Sequence, residues 1–175
     1  IHAYSLVHDD LPCMDDDDMR RGQTATHRAF SIAIATAAGA TMIPLAAHVA
    51  FKSAGRLRLP ESASSTIVKV LMEGAGAGGM IGGQLMDIAG EGSALSRDEL
   101  DSIHSAKTGA LIAASVQIGG VAAGLNDQGL RALGTYGRSI GLAFQIMDDV
   151  LDVTSSTAKL GKIAGRDAQL GKSTY

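Results

Sequence analysis

Residues 9–18 hold six aspartates, the densest run of acidic residues in the chain. Carboxylates this close repel one another unless a cation neutralises them, and hard oxygen ligands of this kind suit Mg²⁺. A calcium loop is excluded, because the sixth position counted from Asp15 is Arg20 and not the glycine that such a loop needs. The run therefore predicts a Mg²⁺ site or, as the alternative, a solvated acidic loop.

A second acidic segment, residues 144–152, lies far along the chain from the first. Its polar residues recur at i, i+3, i+4 and i+7, which places them on one face of a helix: Gln145, Asp148, Asp149 and Asp152. A face of carboxylates without a basic partner at helical spacing is costly to bury unless a metal binds there. The alternative is a solvated helix face.

Together, the two acidic segments predict a ligand that lies between them. Multiply charged phosphate bridged by Mg²⁺ fits best, because the metal neutralises carboxylates and phosphate alike. Basic side chains can bind the remaining phosphate oxygens, although each one alone is more often a surface charge. The candidates are Arg20, Arg21, Lys107, Lys162 and Lys172.

These residues need helices to position them. The chain has 22 glycines, three prolines, 3% aromatic residues and no sustained alternation of apolar and polar residues, which predicts an all-α fold. A capping box at Ser96 and Glu99 marks one helix start. The predicted helices cover residues 1–11, 29–53 with a kink at Pro44, 65–88, 96–125 and 127–151. The last helix is predicted to bury a stripe of Leu130, Leu133, Gly137, Ile140, Phe144 and Leu151.

Length and charge narrow the class of protein. A chain of 175 residues predicts a single domain, 1–175, and a net charge of −3 argues against a nucleic-acid partner. The single cysteine, Cys13, favours a reducing, cytoplasmic setting. Residues 29–51 and 108–126 carry no charged side chain and are near the length of a membrane span. The Ser, Thr, Pro and His of the first, Gln117 and Asn126 of the second, and the many Ala and Gly of both favour buried helices of a soluble protein.

The motifs resemble those of the trans-isoprenyl diphosphate synthases, and among these the bacterial farnesyl diphosphate synthases most. The resemblance spans the whole chain and is carried by the Asp-Asp-x4-Asp run with its Arg-Arg pair, Gly83-Gln84 before Asp87, Lys107-Thr108, the Phe-Gln-x-x-Asp-Asp-x-x-Asp block and Gly161-Lys162. It implies a bundle of mostly antiparallel helices around a central cavity that both aspartate motifs face. It also implies that further helices precede and follow this chain.

The resemblance further implies a Mg²⁺-dependent condensation of isopentenyl diphosphate with an allylic diphosphate, with about three Mg²⁺ ions. The implied metal ligands are Asp9, Asp10, Asp15, Asp148, Asp149 and Asp152. Arg20, Lys107 and Lys162 would bind the allylic diphosphate and Arg21 the isopentenyl diphosphate, with Lys172 as a further phosphate ligand. Lys107, Thr108 and Gln145 would be the catalytic residues, the last two lining the reacting carbon.

Product length is predicted from the residues one helical turn before Asp9. Tyr4 and Ser5 point down the product tunnel, and an aromatic ring there can close its floor. The resemblance to bacterial family members implies that chain growth then stops at fifteen carbons. The alternatives are that Tyr4 is ordinary core, and that the protein is a geranylgeranyl diphosphate synthase.

Three other classes are less favoured. A terpene cyclase is expected to have a different second motif and an aromatic-rich cavity, a membrane prenyltransferase more apolar spans, and a non-catalytic partner subunit only one intact motif. The family also implies a homodimer. The chain departs from the family pattern at Gln23, Ile32, Ala40 and Ser156, none of which is a proposed metal ligand.

Overall fold

The computed structural model describes residues 1–154, and the side chains of Asp152 and Val153 are outside the described part. The helices are α1 His2–Asp9, α2 Thr26–Ala29, α3 Ile32–Arg56, α4 Glu61–Ala75, α5 Met80–Ala89, α6 Arg97–His104, α7 Ala110–Ala122 and α8 Asp127–Thr154. A π-helical turn, Ser105–Gly109, joins α6 to α7. The predicted all-α fold is confirmed.

A short hairpin after α1 is the exception that the sequence analysis did not predict. β1 Met19–Arg20 pairs antiparallel with β2 Gln23–Thr24. The turn residues Arg21 and Gly22 both have positive φ, 52° and 75°, as the tight turn of a two-residue hairpin loop requires. Strands of two residues are too short to show the alternation by which strands are identified.

The predicted helix 65–88 is wrong, because the structure has two helices there. α4 begins earlier, at Glu61 directly after Pro60, and ends at Ala75. Gly76 then leaves the helical region with ψ −160°, and α5 starts only at Met80. A glycine-rich segment gives up helical conformation at low cost, so the chain turns where periodicity alone predicted continuity.

The capping box is confirmed and starts α6. The Ser96 N–H donates to Glu99 Oε2 at 2.8 Å, and the Glu99 N–H donates to Ser96 Oγ at 3.4 Å. The predicted run 96–125 is helical to Ala122 but contains the π-helical turn, a feature that is frequent at functional sites. That turn holds Lys107 and Thr108.

The buried stripe predicted for the last helix is partly wrong. Ile140, Phe144 and Leu151 are exposed, and Phe144 is 61% exposed. Gly137 is buried as predicted, and the face of α8 that packs on α7 and the π-helical turn carries two further glycines, Gly134 and Gly141. Close approach of backbones across glycines replaces the interlocking of large side chains that the pattern predicted.

We expect Gly137→Ala to destabilise the fold. A Cβ at Gly137 would overlap the backbone of Ala113 on α7, so the helices must separate, at about 2–4 kcal/mol. Gly119→Ala is the matched control, because no atom lies within 4 Å of a Cβ there, and a helical alanine stabilises by up to about 1 kcal/mol. Urea unfolding would measure both changes, and equal effects would contradict the close packing.

α3 differs from the prediction that the uncharged segment 29–51 is buried. It packs on α1, α2 and α4, but Ile34, Leu45 and Phe51 are more than half exposed within residues 1–154. By length and composition α3 is the one described helix that could cross a membrane, a criterion that core helices and signal sequences also meet. Pro44 lies inside it.

Candidate active site

A cavity of about 600 Å³ lies between α1, α5, the π-helical turn, α7 and α8. Both acidic segments reach it, because Asp9 from α1 and Asp148 from α8 line the same space. Lys107 lines it as well, and the rest of the wall is mainly apolar. The cavity therefore combines three charged side chains with a mainly apolar wall.

Asp9 is placed at the cavity by the end of α1. Pro12 follows the helix, and the acidic loop folds back so that the Asp15 N–H donates to the Asp9 carbonyl at 2.9 Å. Burial raises the pKa of the Asp9 carboxyl to about 6, the charge of Lys107 opposes that rise, and Asp15 adds to it. The Asp9 anion is therefore costly here without a further cation, which is the property expected of a metal ligand.

Lys107 is held by a carboxylate from α5. Its Nζ donates to Asp87 Oδ2 at 2.6 Å. The two elements approach this closely because Gly83 faces the π-helical turn, where a Cβ would overlap the backbone of Lys107. Asp87 lies one helical turn after Gly83, so the glycine contact sets the position of the carboxylate that holds the lysine.

Thr108 and Gln145 meet across the same cavity wall. The Thr108 hydroxyl donates to Gln145 Oε1 at 2.9 Å, and Gln145 Nε2 donates to Asp149 Oδ1, also at 2.9 Å. Gly141, one turn before Gln145, packs directly on Gly109, which brings α8 within reach of the π-helical turn. The amide of Gln145 is thus fixed in orientation by a donor on one side and an acceptor on the other.

Asp149 is buried, with 3% of its surface exposed, and it does not line the cavity. Its Oδ2 lies 3.7 Å from His104 Nε2. Burial raises the pKa of Asp149 and lowers that of His104. In this structure Asp149 orients Gln145, while its neighbour Asp148 faces the cavity.

The two predicted arginines lie beside the cavity and not on its wall. Arg20 Nε donates to Asp10 Oδ1 at 2.8 Å, and its guanidinium also reaches Asp17 at 3.4 Å. Asp10 is 2% exposed, so this ion pair is internal. Arg21 is exposed and lies 3.3 Å from His2 Nε2. Within residues 1–154, Lys107 is the one predicted phosphate ligand that lines the cavity.

The donor set fits Mg²⁺ shared with a phosphate ligand. No three metal-ligating side chains converge within the described residues, so the protein offers no ready-made centre there. Mg²⁺ is commonly held by one or two carboxylates together with waters and substrate phosphates. Asp9 and Asp148 supply such carboxylates from opposite elements of one cavity.

Tyr4 and Ser5 are buried and line the cavity. Lys162 and Lys172 lie outside the described residues, as do Ser156 and the side chain of Asp152.

Three polar residues of this region, Asp87, His104 and Gln84, have contacts that residue type and spacing did not predict. Asp87 holds Lys107, His104 lies beside Asp149, and Gln84 lines the cavity with its amide buried and without a hydrogen-bond partner in the described part of the chain. The signal that was available is spacing: Gly83, Gln84 and Asp87 stand within one turn of an otherwise apolar helix.

We expect Gln145→Glu to lower both stability and turnover, because the new carboxylate would face that of Asp149 at hydrogen-bond distance. Turnover should fall about tenfold or more. The exchanged double variant, Gln145→Glu with Asp149→Asn, restores one donor and one acceptor and should recover most of the melting temperature. Turnover should stay low, because Gln145 is a proposed catalytic residue and Asp149 a proposed Mg²⁺ ligand. A melting temperature as low as that of Gln145→Glu alone would contradict the hydrogen bond between the two side chains.

The chain is similar in sequence to several known proteins. The polyprenyl synthetase family model matches residues 1–175. The farnesyl diphosphate synthase of Escherichia coli is 48% identical over 178 residues, covering 100% of this chain and 58% of that protein. A chloroplastic geranylgeranyl pyrophosphate synthase of Catharanthus roseus is 42% identical, covering 100% of this chain and 49% of that protein.

A solved structure has the same fold as this chain. The geranyltransferase of Helicobacter pylori, in complex with magnesium and isoprenyl diphosphate, matches with a TM-score of 0.89 and 33% identity, over 99% of this chain and 56% of that one. The chain therefore spans about half the length of the relatives that it matches.

Proposed function

Because the chain belongs to the polyprenyl synthetase family, we propose that the protein condenses isopentenyl diphosphate with an allylic diphosphate, dimethylallyl or geranyl, to give farnesyl diphosphate and pyrophosphate. One observation carries the proposal: Asp9 and Asp148, from the two acidic motifs, line one cavity whose remaining wall is mainly apolar. The charged end suits a diphosphate with Mg²⁺, and the apolar interior suits an isoprenoid chain.

Asp9 and Asp148 are the proposed Mg²⁺ ligands on the cavity wall, with Asp10, Asp15, Asp149 and Asp152 in the same motifs. Bound Mg²⁺ would supply positive charge that stabilises the departing pyrophosphate. We propose about three ions when the allylic diphosphate is bound. The raised pKa of Asp9 supports this assignment, because a cation would favour its anionic form.

Lys107 is proposed to bind oxygens of the allylic diphosphate from the same end of the cavity, held in place by Asp87. The Thr108 hydroxyl donates its hydrogen bond to Gln145, so the lone pairs of the hydroxyl oxygen remain available to stabilise positive charge on the reacting carbon. The apolar walls exclude water, which would otherwise capture an allylic cation. Arg20, Arg21, Lys162 and Lys172 remain proposed ligands of the two diphosphates.

Tyr4 is proposed to close the cavity after fifteen carbons, with Ser5 beside it. A geranylgeranyl diphosphate synthase is the second candidate, since relatives bearing that name match over the whole chain. Both functions use the same chemistry and differ only in where chain growth stops.

The experiment supplies the protein with Mg²⁺, labelled isopentenyl diphosphate and, separately, dimethylallyl, geranyl or farnesyl diphosphate, and separates products by length. A fifteen-carbon product from the two shorter substrates supports the proposal. A twenty-carbon product favours the second candidate. Absence of any incorporation, from folded protein that binds pyrophosphate with Mg²⁺, would overturn both and favour a cyclase or a non-catalytic subunit.

We also propose that the protein is a cytoplasmic homodimer that neither spans a membrane nor binds nucleic acid. The polar residues of α3, among them Thr36, Thr41 and His48, and the net charge of −3 support the last two points. Size-exclusion chromatography without detergent tests the state of assembly and the need for a membrane together.

A further inference from the structure

His8 packs between a tyrosine on its own helix and the backbone of α3. The rings of Tyr4 and His8 lie edge to face, with centroids 5.8 Å apart and an interplanar angle of 80°. His8 Nε2 lies 3.0 Å from the Thr36 carbonyl, a contact in which Nε2 donates the hydrogen. The imidazole is therefore fixed on two sides, by an aromatic contact and by a hydrogen bond to another helix.

Gly39 makes room for this ring. It is buried in the middle of α3, one turn after Ala35, and a Cβ there would overlap three atoms of the His8 imidazole. At Gly55, on the same helix, a Cβ would meet no other atom within 4 Å. The glycine at position 39 is thus required by the imidazole and not by the helix.

Residues on both sides of the contact between α1 and α3 line the cavity. Tyr4 and His8 line it from α1, and Ile43, one turn beyond Gly39, lines it from α3. Tyr4 is 3% exposed, and its hydroxyl has no hydrogen-bond partner within residues 1–154. The Tyr4 ring therefore owes its position to packing, of which the edge contact with His8 is a part.

We propose that His8, seated on Gly39 and bonded to Thr36, is a positioning residue that fixes the Tyr4 ring and so sets how long an isoprenoid chain the cavity accepts. This inference rests on the proposed function. It adds two specificity-determining positions, His8 and Gly39, to the proposed floor at Tyr4.

The test compares product lengths among four variants. His8→Ala removes the support of the Tyr4 ring, and we expect the share of twenty-carbon over fifteen-carbon product to rise about tenfold. Gly39→Ala pushes the imidazole off α3 towards Tyr4, and we expect the ten-carbon share to rise instead. In the double variant His8→Ala with Gly39→Ala, the second change should have no further effect, because its collision partner is gone. Gly55→Ala is the matched control and should leave the product ratio unchanged.

The ratio of products is read per turnover, so a lower rate in a variant next to Asp9 does not obscure it. A second readout is independent of turnover: nitrogen-15 spectra of the histidine rings should show the Nε2-protonated form of His8 in the native protein and its loss in Gly39→Ala.

The outcomes separate this inference from the proposed function. If the native protein forms no longer isoprenoid at all, the proposed function fails. If it does, unchanged ratios in His8→Ala and Gly39→Ala, or an equal effect of Gly39→Ala with and without His8, would overturn the role of His8. If Gly39→Ala does not fold, His8→Ala alone decides, and an unchanged ratio overturns the inference.

Discussion

Asp9→Asn is expected to lower turnover about 10³-fold or more, because it replaces one of the two carboxylates from the acidic motifs that line the cavity. Asp148→Asn should have an effect of the same order. Steady-state incorporation of isopentenyl diphosphate at saturating Mg²⁺ measures both. The matched control is Asp18→Asn in the same acidic run, since Asp18 forms an exposed ion pair with Arg28 and does not line the cavity.

The same Asp9 variant should stabilise the metal-free protein. The pKa of the native Asp9 carboxyl is about 6 in the folded protein and 3.8 in an exposed aspartate, so this carboxyl takes up a proton on folding. The stability that the Asp9 carboxyl contributes is fully present below pH 3.8 and is lost as pH rises through 6. At pH 7.5 Asp9→Asn should therefore raise the free energy of unfolding by roughly 1–3 kcal/mol, and this gain should vanish near pH 4. A lower melting temperature at pH 7.5 would contradict the account of Asp9.

Lys107→Gln is expected to lower kcat/KM about 10²-fold or more, because it removes the one proposed phosphate ligand that lines the cavity within residues 1–154. It also removes the charge that holds down the pKa of Asp9. The acid limb of the pH–rate profile should then move to higher pH, since Asp9 must ionise to bind the cation.

The control for Lys107 is Lys69→Gln, which removes one partner of an exposed ion pair with Glu73. It should leave both kcat/KM and the profile unchanged. If Lys107→Gln loses activity but the acid limb does not shift, the charge of Lys107 does not control the ionisation of Asp9. Undiminished kcat/KM would contradict its role as a phosphate ligand.

The parts of the site that the sequence predicted depend on residue type and helical spacing. Asp9 and Asp148 were identified because carboxylates cluster around them, and Thr108 and Gln145 from the motifs that resemble the family. All four line one cavity in the structure. The family predicted from those motifs is confirmed, because its model matches the whole chain.

The parts that it did not predict depend on contacts between distant segments. Arg20 pairs internally with Asp10, ten residues before it. The spacing of the two residues does not decide whether the guanidinium binds that carboxylate or a substrate phosphate. The exposed ring of Phe144 and the burial of Gly134 and Gly141 follow from how closely α8 approaches α7 and the π-helical turn. The break after Ala75 reflects the low helix propensity of glycine, which a periodicity argument leaves out.

Calorimetric titration of the protein with pyrophosphate, with and without Mg²⁺, shows whether Asp9 and Asp148 hold Mg²⁺ together with a diphosphate in one cavity. We expect that tight binding needs Mg²⁺, that Asp9→Asn and Asp148→Asn each abolish it, and that the double variant is no worse than either. Pyrophosphate binding that is equally tight without Mg²⁺, or that survives both substitutions, would rule out this role of the two carboxylates.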